Sequence, residues 1–151
     1  VTIERDIEAL RQVMMFSELN SEQLRLLAFS AETVKLAPKE ILFQEGDVAG
    51  SGFVVTEGEI QLIQRSDGRS VSVGRIGQGS VVNELALISE TLRPATAIAT
   101  RASECIKIRR SLFGRFINEY PDIAVRLEDS LRGRLMETIS QLKRAQAKLK
   151  Y

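Results

Sequence analysis

The sequence predicts a mainly β protein with flanking helices. Three patterns carry that prediction: short apolar runs broken by glycine-bearing turns in the middle, helical spacing of apolar residues before them, and a four-three repeat after them. The corresponding division is residues 1–31 as an N-terminal helical segment, 32–110 as the β domain, and 111–151 as C-terminal helices.

At the start, Ile7, Leu10, Met14 and Met15 form one helical stripe within Ile3 to Ser30. A second helix begins behind Asn20, whose side chain is suited to cap the backbone three residues on. Gln23 stands where it returns that bond, Glu22 lies in the first turn, and Leu24, Leu27 and Ala28 face inward. From Glu32 the period becomes two: Val34 and Leu36 alternate with Lys35, Pro38 interrupts, and Glu40 to Phe43 begins another extended piece.

From there the strands follow in quick succession. Phe53-Val54-Val55 leads through Gly58 to Ile60, Leu62 and Ile63. Ser66-Asp67-Gly68-Arg69 is a hairpin turn, because Asp-Gly accepts the left-handed backbone of a tight reversal. Val71, Val73 and Ile76 continue the pattern, Gly77 and Gly79 bracket a turn, and Ala97 to Thr100 and Cys105 to Ile108 supply the last strands. Roughly eight short strands at this spacing point to a closed or double-layered antiparallel fold, not to alternating β and α units. A helix starts at Arg110-Ser111-Leu112.

Pro121 opens a final helix running from about Asp122. Leu131, Leu135, Thr138, Leu142, Ala145 and Leu149 recur at alternating intervals of four and three, the seam of a two-stranded coiled coil. A helix of about 28 residues projects about 40 Å, too far for the β domain to cover, so a homodimer through this seam is expected.

Composition excludes much chemistry. The 151 residues include one cysteine and no histidine. That removes the common zinc patterns and histidine-assisted serine or cysteine nucleophiles, so no enzyme activity, cofactor or metal is expected. No run reaches the roughly 18 apolar residues of a membrane span, and the first residues lack a signal-peptide pattern; a soluble, cytoplasmic protein is the expectation. The net charge is +1, but from Arg126 to Tyr151 seven basic residues face three acidic ones. Such charge on an exposed helix chiefly solubilises it, and its attraction for nucleic acid is nonspecific and salt-sensitive.

One segment carries a functional signal, residues 79–97. It reads as a single helical turn, Asn83 to Ile88, set among strands and followed by an isolated arginine, Arg93. Backbone N-H groups at such a turn and a nearby guanidinium hold a phosphate through directional donors and charge, and Glu84 is placed to accept from sugar hydroxyls. Pairing of Arg93 with Glu84 or Glu90 is the competing structural reading.

These pieces, in order, resemble the cyclic nucleotide-binding domain family, specifically a catabolite-activator-like sensor domain without the helix-turn-helix domain. The resemblance rests on Glu45-Gly46-Asp47, Phe53-Val54-Val55, Gly58-Glu59-Ile60, Glu84-Leu85-Ala86-Leu87-Ile88, Arg93 nine positions after Glu84, and Ala95-Thr96-Ala97. It implies a double-stranded β-helix or jelly-roll, a β-roll of about eight strands, with a long C-terminal helix. It also implies a phosphate-binding cassette at 79–97, in which Arg93 meets the cyclic phosphate and Glu84 the ribose 2′-hydroxyl. Backbone at Leu85 and Ala86 completes the oxyanion contacts, Ala95 and Thr96 follow as ligand contacts, and Leu62, Val71 and Val73 line the base pocket.

The implied ligand is cAMP or cGMP, bound by a non-catalytic regulatory sensor that passes its state to an unknown protein effector. Two departures make the cassette atypical. Asn83 stands where the family has glycine, and Pro94, which has no N-H, follows the arginine. They motivate an alternative, a degenerate domain kept as a dimerising or protein-interaction scaffold; a second alternative is the sensor portion of a transcription regulator. No sequence-specific DNA contact is expected from this chain alone.

Overall fold

The computed structural model of the chain describes residues 2–13, 16–122, 125, 126, 129, 132 and 133. Met14 and Met15 of the first stripe, and the whole expected seam of Leu131, Leu135, Thr138, Leu142, Ala145 and Leu149, lie outside the described residues.

Helix α1 (Thr2–Arg11) buries Ile7 and Leu10. Helix α2 (Ser21–Phe29) begins at the reciprocal cap that the sequence predicts. Gln23 N donates to Asn20 Oδ1 at 2.8 Å, Asn20 N donates to Gln23 Oε1 at 2.9 Å, and Leu24, Leu27 and Ala28 are buried behind it.

Ten strands follow: β1 (Glu32–Leu36), β2 (Ile41–Phe43), β3 (Val48–Ala49), β4 (Ser51–Glu57), β5 (Glu59–Ser66), β6 (Arg69–Gly77), β7 (Val81–Val82), β8 (Thr91–Leu92), β9 (Thr96–Ala99) and β10 (Ser103–Arg109). Helix α3 (Arg110–Glu119) continues directly from β10. The count exceeds the expected eight because β3, β7 and β8 are two-residue pieces, made strands by partners far away in sequence. All pairings are antiparallel, in sheets ordered β1-β10-β4-β7 and β2-β9-β5-β6 with a separate β3-β8 ribbon. At the β5-β6 turn, Asp67 (φ 51°) and Gly68 (φ 75°) are both left-handed, as a tight hairpin requires.

Two hydrophobic clusters share the wall made by β4 and β10. Phe53 and Val55 of β4 and Cys105 of β10 point into the roll with Phe43, Ile60, Val82 and Ala97. Val54, Ile106 and Ile108 point the other way, into a helical cluster with Leu10, Phe16, Leu24, Phe113 and Phe116. The alternation of side chains along a strand produces this division directly.

The wall is closed at a tight corner between β4 and β5. Gly58 has φ +85°, and a Cβ there would lie 2.6 Å from the Ala102 carbonyl and run into the Ser103 hydroxyl. That hydroxyl accepts from Glu59 N at 3.0 Å. Gly58→Ala is expected to destabilise the fold by about 2 kcal/mol or more, lowering Tm by roughly 5 °C; a melting curve that superposes on the wild type would refute the strain. Cys105 is fully buried, and burial first, with Glu104 second, pushes its thiol pKa up to about 12. The thiolate is therefore absent at neutral pH. Labelling by a disulfide reagent should follow global unfolding, and rapid stoichiometric labelling of the native protein would contradict this environment.

Candidate functional site

The cassette is built on the rim of the roll. After β7 the chain turns through Asn83, left-handed at φ 57° and ψ 56°, into a 3₁₀ turn, Glu84–Leu87. Asparagine is among the few residues with a side chain that occupy this backbone readily, which explains how it stands at a position suited to glycine. Asn83 accepts from Ala86 N at 3.2 Å, and Leu85 accepts from Ile88 N at 3.2 Å and Ser89 N at 3.1 Å. The Ala86 N-H expected to meet a ligand thus already has a bond within the turn. Asn83 Nδ2 is buried without a hydrogen-bond partner among the described residues.

The turn is seated by its apolar residues. Leu87 is buried in the helical cluster, Ala86 is buried, and Glu84 and Leu85 are partly buried. Gly52 of β4 is the seat: a Cβ there would come within 2.9 Å of Leu87 Cγ, so only a residue without one admits Leu87 so closely.

Arg93 is the one arginine that the structure buries among the described residues, at 6% exposure. Its backbone is pinned on both sides by the loop before β3: Arg93 N donates to the Asp47 carbonyl at 2.7 Å, and Gly46 N donates to the Arg93 carbonyl at 2.9 Å. Its guanidinium is led inward, where Nη1 donates to the Ser51 carbonyl at 2.7 Å and Nη2 to the Ser51 hydroxyl at 3.2 Å. Its central carbon stands 4.3 Å from the Phe43 ring centroid and 5.4 Å from that of Phe53, in cation-π range. Among the described residues no carboxylate reaches Arg93 at ion-pair distance. Burial pulls its pKa below the usual arginine value, and the field of Asp47 opposes that shift.

The other predicted residues are spread over the roll. Pro94 is exposed and its carbonyl accepts from Gln64 Nε2 at 2.8 Å. Ala95 is buried, and Thr96 Oγ1 accepts from Glu45 N at 3.0 Å beside a cavity of about 560 Å³ lined by Ile41, Gln44, Glu45, Gly46, Arg65 and Thr96. Leu62 faces the roll cluster opposite Gly74 and Ala97. Val71 lies opposite Gln64, and Val73 is the extra residue of a bulge, because Leu62 pairs with Gly74 while Ile63 pairs with Ser72. Val71 and Val73 are 46% and 49% exposed. Sequence reasoning missed Ser51, Phe43, Phe53, Asp47 and Gln64 as supports of the cassette. Only Glu45-Gly46-Asp47 and Phe53-Val54-Val55 gave any signal, through the family resemblance.

Comparison with known proteins places this arrangement. A family model described as the cyclic nucleotide-binding domain matches residues 33–120, more than half of the chain. A cyclic nucleotide-binding-like protein from Brucella abortus is 38% identical, with TM-score 0.67, over 75% of this chain and 97% of that one. The N-terminal domain of a transcriptional regulator from Streptomyces coelicolor is 30% identical, with TM-score 0.78, over 89% and 94%. The regulatory domain of Toxoplasma gondii PKA, co-crystallised with cAMP, is 26% identical, with TM-score 0.71, over 76% and 44%. Among curated sequences, a lysophospholipase of Aspergillus oryzae is 30% identical over 112 residues, 74% of this chain. The chain spans only 7% of that relative's length. With a family model over most of its β-roll, and the same fold in each of these structures, the chain belongs to the cyclic nucleotide-binding domain family.

Proposed function

We propose that the chain is a non-catalytic regulatory module that takes cAMP or cGMP into the cassette. The observation that carries this reading is the buried, uncompensated guanidinium of Arg93. A cation removed from water is expensive unless an anion or a set of acceptors answers it, and Ser51 supplies acceptors without charge. A cyclic phosphate supplies the missing charge, Glu84 takes the ribose hydroxyl, and Leu62 with Val71 and Val73 borders the base. The cAMP complex of the Toxoplasma relative supports the ligand class.

The scaffold alternative has its own observation. Asn83 brings a side chain to the glycine position, with a buried amide nitrogen that lacks a partner, and Pro94 removes one N-H from the phosphate's surroundings. Loss of one charge-assisted hydrogen bond weakens binding by about ten- to hundredfold. On that reading the conserved product of the chain is a surface, and a second copy, paired through the heptad-spaced leucines from 131 to 149, is its first partner.

Isothermal titration with cAMP and then cGMP separates the two. One-to-one saturable binding that weakens at least about tenfold in both Arg93→Lys and Arg93→Ala is the expected result, since lysine keeps the charge but not the planar fork. Heat-silent titrations at several temperatures, with no displacement of a fluorescent analogue, would instead favour the scaffold. Asn83→Gly should raise Tm by roughly 2 to 4 °C, about 1 kcal/mol, by removing the orphaned donor and relaxing the left-handed backbone. An unchanged or lower Tm would mean that the Asn83 amide does make a stabilising contact.

A further inference from the structure

Helix α3 opens with two arginines. Arg109 is its N-cap, without a side-chain cap bond, Arg110 is its first residue, and no acidic residue stands in the first turn. The positive end of the helix dipole disfavours cations there. A local choice that opposes the local field marks a position serving something else. For Arg109 that service is an ion pair with Glu32 at 2.8 Å.

Arg110 has no such carboxylate. Its Nη1 donates to the Ala49 carbonyl at 3.0 Å and to the Ser89 carbonyl at 3.1 Å, and its backbone N-H donates to the Gly50 carbonyl at 2.9 Å. Ala49 ends β3, Gly50 joins β3 to β4, and Ser89 lies two residues beyond the 3₁₀ turn. One nitrogen therefore ties the exit of the cassette and the strand before β4 to the first residue of α3. The geometry points to Arg110 as the positioning residue that couples the cassette to α3.

The apolar contact between these parts cannot do this alone. Leu87 shares a cluster with Phe113 and Phe116, and such packing is non-directional, so the turn and the helix can slide against each other with modest penalty. Hydrogen bonds are directional and short-ranged: moving the Ser89 carbonyl by about 1 Å takes it out of bonding distance. Arg110 thus converts a small displacement of the cassette exit into a made or broken contact at the base of α3. What displaces the cassette in use is the nucleotide of the preceding reading, and on that point this inference rests on it.

The test needs no ligand in its first arm. Asn83→Gly alters the cassette backbone far along the chain from α3, and hydrogen exchange reads the amides of residues 110–119. With Arg110 in place, Asn83→Gly is expected to change their exchange rates about threefold or more, and in the Arg110→Ala background by less than about 1.5-fold. Arg110→Lys, which keeps a charged donor, should recover part of the response. Equal responses in the two backgrounds, or none with Arg110 present, overturn the coupling; simple destabilisation by Arg110→Ala would raise exchange in α3 without abolishing its dependence on residue 83. In the second arm cAMP or cGMP replaces the substitution. Arg110→Ala should bind with affinity within about threefold of the wild type while α3 ceases to respond. If neither nucleotide binds the wild-type protein, the ligand reading fails and the first arm alone decides the coupling.

Discussion

The burial of β4 on both faces is the constraint from which the rest of the structure hangs. Phe53 and Val55 fill the roll while Val54 between them fills the helical cluster, so a shift of one residue would exchange the two sets and empty both cores. Partners on both edges hold that register: β10 pairs along most of β4, and β7 pairs with Phe53 and Val54. The consequence reaches the cassette because the first residues of the same strand serve it. Ser51 receives the Arg93 guanidinium and Gly52 admits Leu87. A strand fixed by two cores is a rigid base on which to hold a charge.

Electrostatically the cassette is incomplete in a specific way. Arg93 has been given aromatic faces and neutral oxygens, which lower the cost of burying a guanidinium but leave its charge unanswered. Its backbone is bonded to Gly46 and Asp47, so the side chain leaves from a fixed point. Such preorganisation favours an anion because little ordering remains to be done on binding. Against this stand the orphaned amide of Asn83 and the missing N-H of Pro94, each on the order of one hydrogen bond. Charge outweighs either departure taken singly, which is why the binding reading is placed ahead of the scaffold.

What the sequence made legible is what depends on neighbours in the chain. The Asn20-Gln23 cap, the Asp67-Gly68 reversal and the short turn after Asn83 each arise from residues within about four positions, and all three are found. The β3-β8 ribbon was illegible because two residues have no period to display, and Val48 meets Leu92 only once the roll is closed. The same holds for the site. Glu84 and Arg93 were found as a spacing, whereas the supports of Arg93 are separated from it by 42 residues at Ser51 and lie on strands whose apolar residues read simply as core. The sequence of α3 did display its two leading arginines, but only the folded chain brings the Ala49 and Ser89 carbonyls to one of them.

The placement of the 3₁₀ turn between the two cores bears on how such a module would respond at all. Val82 just before it belongs to the roll cluster and Leu87 at its end to the helical cluster. The segment between them therefore cannot drift outward gradually: one anchor must release a close-packed seat before the other gains anything, and close-packed interiors do not deform continuously. Movement of the cassette is restricted to discrete alternatives, the condition under which a ligand of modest differential affinity shifts a population instead of stretching a structure. Gly52 tightens that condition further. Its missing side chain lets Leu87 approach the β4 backbone so closely that the seated arrangement of the turn is sharply defined, and any other arrangement loses that contact as a whole.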